Sequence, residues 1–178
     1  MSPRVALALI LILAGAPTHL SADEPKFTTP EEFDKLPTGI TVKHEPEVAL
    51  ATLTGKSERR GKYTWWYKTT VSAKAEDVTL LEFGGFAWHE GKWVVGSTFT
   101  GKAYKSAEFA EWYKCPDAVL KKGKTYTDPT NWTSGSELVP GKTKWYFVGV
   151  TADGKRVGGA AVVELKAKID PNKPRDKE

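Results

Sequence analysis

The chain has 178 residues, a formal net charge of +4, hydrophobic residues at 40% and a single cysteine. One cysteine excludes an internal disulfide scaffold, and the length suffices to bury a core without such staples. Lysines are spread along the chain instead of clustering on one segment, so the mild positive charge carries no nucleic-acid footprint.

Arg4 is the only charged residue before Asp23, and Val5 to Ala14 is an unbroken run of Val, Ala, Leu and Ile. That run is too short to span a bilayer and has the form of the apolar region of a secretory signal. The expectation is a signal over 1–22, cut after Ala22, leaving a secreted or periplasmic protein with no membrane span. Asp23 to Val42 holds Pro25, Pro30 and Pro37 among charged residues. Thr29-Pro30-Glu31-Glu32-Phe33 inside it carries a helix start: Thr as N-cap, Pro at the first helical position and acids in the first turn. Residues 23–46 are expected to be an extended segment packing loosely on a domain over 47–166.

Val48 to Leu53 reads as the first strand, followed by a charged turn at 57–61. Lys62 to Ala73 alternates: Tyr63, Trp65, Tyr67, Thr69 and Val71 fall on a core face, and Trp66 stands on the outer one. Val78 to Phe83 is a third strand, which Gly84-Gly85 interrupts as a bulge or bend would. Phe86 to Trp88 and Lys92 to Phe99 form a hairpin around His89-Glu90-Gly91, with Trp93, Val95 and Phe99 inward. Ser106 to Cys115 is a helix, capped by Ser106, with Phe109, Trp112 and Tyr113 at helical spacing and Pro116 as its stop. Ala118 to Leu120 and Lys124 to Thr127 are short strands, and Asp128 to Pro140 is a loop. Asp153-Gly154, between Trp145 to Thr151 and Val157 to Leu165, supplies the two φ > 0 positions of a type I′ hairpin turn. The charged, Pro-bearing tail over 167–178 is expected to be disordered.

Seven or so strands at short spacing with one brief helix predict an all-β fold, an antiparallel β-sandwich in one domain. Leu138-x-Pro140-Gly141 before an aromatic strand, then Val150-Thr151-Ala152-Asp153-Gly154 and a Val-rich strand, resembles the last two strands of a fibronectin type III or immunoglobulin-like module. The tyrosine that this family places six residues after the leucine is Lys144 here. The resemblance implies the sandwich architecture, which serves as spacer, adhesion surface or ligand module.

Catalytic and metal chemistry finds little support. Gly96 to Ala103 has the spacing of a phosphate-binding loop, but Ala103 stands where a Mg²⁺-binding hydroxyl is required. It reads as a strand ending in a Thr-Gly-Lys turn. Cys115 could pair with His89 or His44 only through unseen proximity, and a helix C-terminus disfavours a thiolate. Its expected role is a buried small residue, with pairing between chains as the alternative. No His follows Cys115 to make a copper site, and His44 and His89 lie far apart in sequence. No metal and no cofactor are expected. Asn131-Trp132-Thr133 matches an N-glycosylation acceptor.

The strongest remaining signal is aromatic. The chain holds seven Trp, six Tyr and seven Phe, more rings than one small core needs, and adjacent Trp65-Trp66 and Trp145-Tyr146 must face opposite ways. By alternation Tyr146, Val148 and Val150 look inward, leaving Trp145 and Phe147 on the other face. Either the helix and the N-terminal segment cover these rings, or Trp66, Trp145 and Phe147 form a platform that binds sugar rings or a partner protein. The expected function is an exported, non-catalytic module, structural or binding an envelope protein or polysaccharide. A small secreted hydrolase acting on carbohydrate is the alternative, with no pair of carboxylates singled out.

Overall fold

The structure is a computed structural model and describes residues 27–54, 61–96, 98 and 101–173. The signal-like run, most of the charged turn at 57–61, parts of the phosphate-loop-like run and the end of the tail lie outside the described residues. Among the described residues ten strands form one sheet: β1 (Ile40–Glu45), β2 (Val48–Leu53), β3 (Tyr63–Ala73), β4 (Val78–His89), β5 (Lys92–Val95), β6 (Tyr104–Lys105), β7 (Val119–Leu120), β8 (Thr125–Gly135), β9 (Gly141–Thr151) and β10 (Arg156–Ile169).

Register shows how they share it. Ser72 pairs with Thr41 of β1 and Thr125 of β8, and Trp65 with Ala51 of β2 and Thr133 of β8. A strand has only two edges, so β1 and β2 follow one another along one edge of β3 and β8 takes the other. At the far side Phe86 pairs with Val95 and Lys144, Phe83 with Tyr104 and Phe147, and Val78 with Leu120 and Thr151. Three short strands, β5, β6 and β7, therefore occupy the outer edge of β4. Between these sides β2 runs parallel to β10, and β10 and β9 form the predicted hairpin. The all-β expectation holds. The strands nevertheless form one curled, mixed sheet, a half-barrel, where two antiparallel layers were expected.

Other elements depart from expectation for local reasons. β4 runs straight through Gly84-Gly85, and its register shift falls between Leu80 and Glu82 instead. A Cβ on Gly84 would lie 3.1 Å from the Tyr146 ring, so close packing, not a bend, is what glycine serves there. Glu90 and Gly91, at φ 47° and 81°, make the two-residue turn between β4 and β5. In the last hairpin only Gly154 has positive φ, the Gly154 N–H donates to Thr151 O, and the loop is a three-residue turn, not type I′. β8 replaces the expected loop at 128–140 over most of its length, and β10 continues three residues into the tail expected to be disordered.

Helix α1 (Pro30–Phe33) has the predicted Thr29 cap: Thr29 Oγ1 accepts from Glu32 N, and Glu32 Oε2 accepts from Thr29 N at 2.8 Å. Helix α2 (Ser106–Trp112) is shorter than expected and starts after Lys105, not Ser106. It ends with Lys114 at φ 53° and Cys115 N donating to Ala110 O, the six-to-one closure usually built on glycine. β1 places part of the 23–46 segment in the sheet, and Thr28 to Phe33 ahead of it are anchored rather than loose. Phe33 packs its ring edge on Phe86 and lies 5.7 Å from Tyr146. Glu82, buried, accepts from Thr28 N at 3.1 Å and from the Thr28 hydroxyl, with Lys105 Nζ at 3.4 Å.

Both faces of β9 are thus covered. On one, Phe86 stacks on Tyr146 at 4.4 Å beneath α1. On the other, Phe83 stacks on Phe147 at 5.5 Å, and Phe109 of α2 and its C-cap Tyr113 close over both. A buried ring of this size contributes about 1.5–3 kcal/mol, so the short helix is held by its stripe rather than by its length.

Candidate functional site

The concave side of the half-barrel leaves a cavity of about 660 Å³ in the seam between its two edges. β8 lines one wall from Asp128 to Ser134, and Gly85, Ala87, Gly96 and Tyr104 line the opposite one. Thr143 and Trp145, two apart on β9 and so on one face, make the floor, and Glu111 and Trp112 of α2 with Lys114 just beyond it close one end.

Its aromatic wall is continuous. Trp145 lies parallel to Tyr104 at 6.3 Å, and Tyr104 meets Trp112 edge-on at 4.7 Å. The indole N–H of Trp145 donates to Tyr67 Oη at 2.7 Å, and that oxygen lies 2.7 Å from Thr133 Oγ1. Burial pushes the Tyr67 hydroxyl far up, so it stays protonated.

Behind this floor runs a second polar chain. His44 Nε2 faces the carbonyl of Ala161 at 3.1 Å, so it is the protonated nitrogen and donates. Burial holds the imidazole below its ordinary range, opposed by that bond, so Nδ1 accepts from the Thr69 hydroxyl at 3.0 Å. Thr69 in turn accepts from Asn131 Nδ2 at 2.8 Å, and the direction of every proton is fixed. Tyr113, also buried, places its hydroxyl beside Thr69, which opposes the upward push of burial on it but offers no hydrogen bond of good geometry. Asp128 is half-buried; its Oδ1 accepts from Thr130 N at 2.9 Å and from the Thr130 hydroxyl. Burial pushes its carboxyl up despite those bonds.

The three residues of the expected platform are not brought together. Phe147 is fully buried in the core, because α2 lies over its face of β9. Trp145 is half-buried in the cavity. Trp66 is on the opposite face of β3 from Tyr67, and hence from Trp145; it meets Trp132 edge-on at 6.3 Å, with Lys173 Nζ 4.8 Å from its ring. Tyr104, Trp112, Thr133 and Asp128 were missed. Alternation could have flagged Thr133 with Asn131, but only on recognising β8 as a strand.

Cys115 is buried, which pushes its thiol up and keeps it from pairing between chains. Asn131 is 6% exposed, with its amide engaged by Thr69 and by Trp132 N, so the acceptor pattern is closed to glycosylation in this fold. His89 is exposed beside Glu90, and no group of three metal-ligating side chains occurs among the described residues. No helix among the described residues is long and apolar enough to cross a membrane.

No family model matches the chain, and no curated protein matches it. Among solved structures it is similar to the crystal structure of a protein assigned as ApaA from Bordetella pertussis. The two share 13% identity over 74% of this chain and 95% of that one, with a TM-score of 0.44.

Proposed function

We propose that this is an exported, non-catalytic binding module that seats a segment of polysaccharide in the seam cavity. The observation that carries the reading is the pair of half-buried rings Trp145 and Trp112, backed by buried Tyr104, beside polar side chains, the combination that stacks on sugar rings while bonding their hydroxyls. On this reading the fibronectin-like hairpin of β9 and β10 is the rear wall of the module.

A protein partner added as a strand along β8 is the weaker occupant. The amide of Thr130 is already taken by Asp128 and that of Trp132 by Asn131 at 2.8 Å, and Pro129 has no amide to give. Electrophoresis through gels containing soluble polysaccharides tests the proposal. Retardation by at least one of them, weakened in Trp112→Ala, is expected; equal mobility in every gel would contradict it.

One observation favours a second reading. Asp128 and Glu111 line the same cavity, and a raised carboxyl such as Asp128 is what a glycoside hydrolase uses as its acid. Release of new reducing ends by the wild type but not by Asp128→Asn would replace the binding module with a hydrolase. The binding reading expects no release from either.

A further inference from the structure

We propose that the cavity selects uncharged sugar units over acidic ones, with the Thr133 hydroxyl donating to the ligand and the Asp128 carboxylate accepting from it. The inference rests on the carbohydrate-binding reading and adds to it the charge of the ligand and the two side chains that discriminate.

Proton bookkeeping along the floor assigns the donor. Trp145 Nε1 can only donate, so the Tyr67 oxygen accepts from it. Between Tyr67 and Thr133 either hydroxyl could donate. If Thr133 did, the Tyr67 oxygen would accept twice and its own proton would lie in a 2% exposed position with no acceptor. Tyr67 therefore donates to Thr133, and the Thr133 proton is left for the cavity that Thr133 lines. Across the floor the roles reverse. Thr143 donates to Phe86 O at 3.3 Å and so presents lone pairs. Asp128 Oδ1 is engaged by Thr130, whereas Oδ2 has no partner among the described residues. One donor and two acceptors in a small space match sugar hydroxyls, each of which does both.

The charges decide against acidic ligands. Among the described residues, Glu111, Asp128 and Lys114 are the charged side chains lining the cavity, and Glu111 and Lys114 are exposed at its end. Asp128 alone is half-buried beside the floor, where a second negative charge is poorly screened. No buried cation lies among the lining residues to offset a uronate or sulfate.

Calorimetric titration with neutral, carboxylated and sulfated oligosaccharides of one length tests this on wild type, Thr133→Val, Thr133→Ser and Asp128→Asn. Neutral ligands should bind at least about tenfold more tightly than acidic ones. Thr133→Val should weaken neutral binding about tenfold, Thr133→Ser should restore it, and Asp128→Asn should narrow the neutral-to-acidic gap by about threefold or more. Acidic ligands binding as tightly as neutral ones, or Thr133→Val without effect, would overturn the inference and leave carbohydrate binding intact. No binding of any oligosaccharide would overturn both. If Thr133→Val fails to fold, an unchanged gap in Asp128→Asn decides against the inference on its own.

Discussion

Buried polar atoms set the behaviour of this protein residue by residue. Tyr113 carries a hydroxyl into the interior beside Thr69 without a hydrogen bond of good geometry, and a poorly met hydroxyl costs more than it contributes. Tyr113→Phe is therefore expected to raise stability by about 1 kcal/mol in denaturant titrations; a loss of that size would show that the hydroxyl has found a partner. His44 works the other way. Its imidazole is held neutral in the fold, below its ordinary value of about 6.5. As pH falls below about 6.5 the unfolded chain takes up a proton that the folded one refuses, so stability is full above that value and declines below it, towards the lower folded-state pKa. Asp128, raised in the fold, has the opposite slope, its contribution being lost as pH rises through its folded pKa. Comparing wild type with His44→Gln isolates the histidine: the variant should be less stable at pH 7.5, by a margin that shrinks between pH 6.5 and 5. A constant margin would contradict the assignment. Neither network was legible beforehand, because pattern reads faces and not partners. The alternation of β3 put Tyr67 and Thr69 inward, but nothing in the sequence says that Asn131 and Ala161 meet them.

At the scale of elements, strand ends and close approaches carry the strain. Lys114 occupies a left-handed position that closes α2, where a side chain costs more than glycine does. Lys114→Gly should stabilise by about 0.5–1 kcal/mol, read as a higher melting temperature, and a lower one would show that the lysine repays its conformation elsewhere. Gly159 is constrained by space instead. A Cβ there would lie 2.1 Å from the backbone oxygen of Ile40, which cannot yield as a flexible side chain does. Gly159→Ala should cost about 3 kcal/mol or more and loosen β1 from β10; a cost under about 1 kcal/mol would contradict that close contact. Elements with clean periodicity or caps were readable: β3, the Thr29 cap and the Phe109-Trp112-Tyr113 stripe. β8 was readable only at its start, inside the expected strand Lys124 to Thr127, since Asp128 to Gly135 is rich in Thr, Ser, Asn, Asp and Pro, the vocabulary of loops, and becomes a strand only because β3 offers it an edge. The Asp153-Gly154 turn erred on loop length, which the pairing of Arg156 with Val150 sets.

For the whole molecule, the parallel pairing of β2 with β10 joins residues more than a hundred positions apart. Composition and strand count gave the all-β class, but no local signal distinguishes a sheet that curls on itself from two sheets that stack. That difference produces the cavity, because a sandwich fills the space between its layers whereas a half-barrel leaves a seam. Gly85 is the handle on it. It lines the cavity, and a Cβ built there meets only Thr143 Oγ1, at an ordinary 3.8 Å. A Cβ at Gly85 therefore meets no backbone, and Gly85→Leu extends a side chain from the wall into the site. The deciding measurement is tryptophan fluorescence during titration with neutral oligosaccharides, on wild type, Gly85→Leu and Trp66→Ala. A saturable change in wild type and Trp66→Ala, absent from a folded Gly85→Leu, is expected for a ligand seated in the seam. A change that survives Gly85→Leu and vanishes in Trp66→Ala would move the site to the outer face, and no change in any of the three would contradict carbohydrate binding.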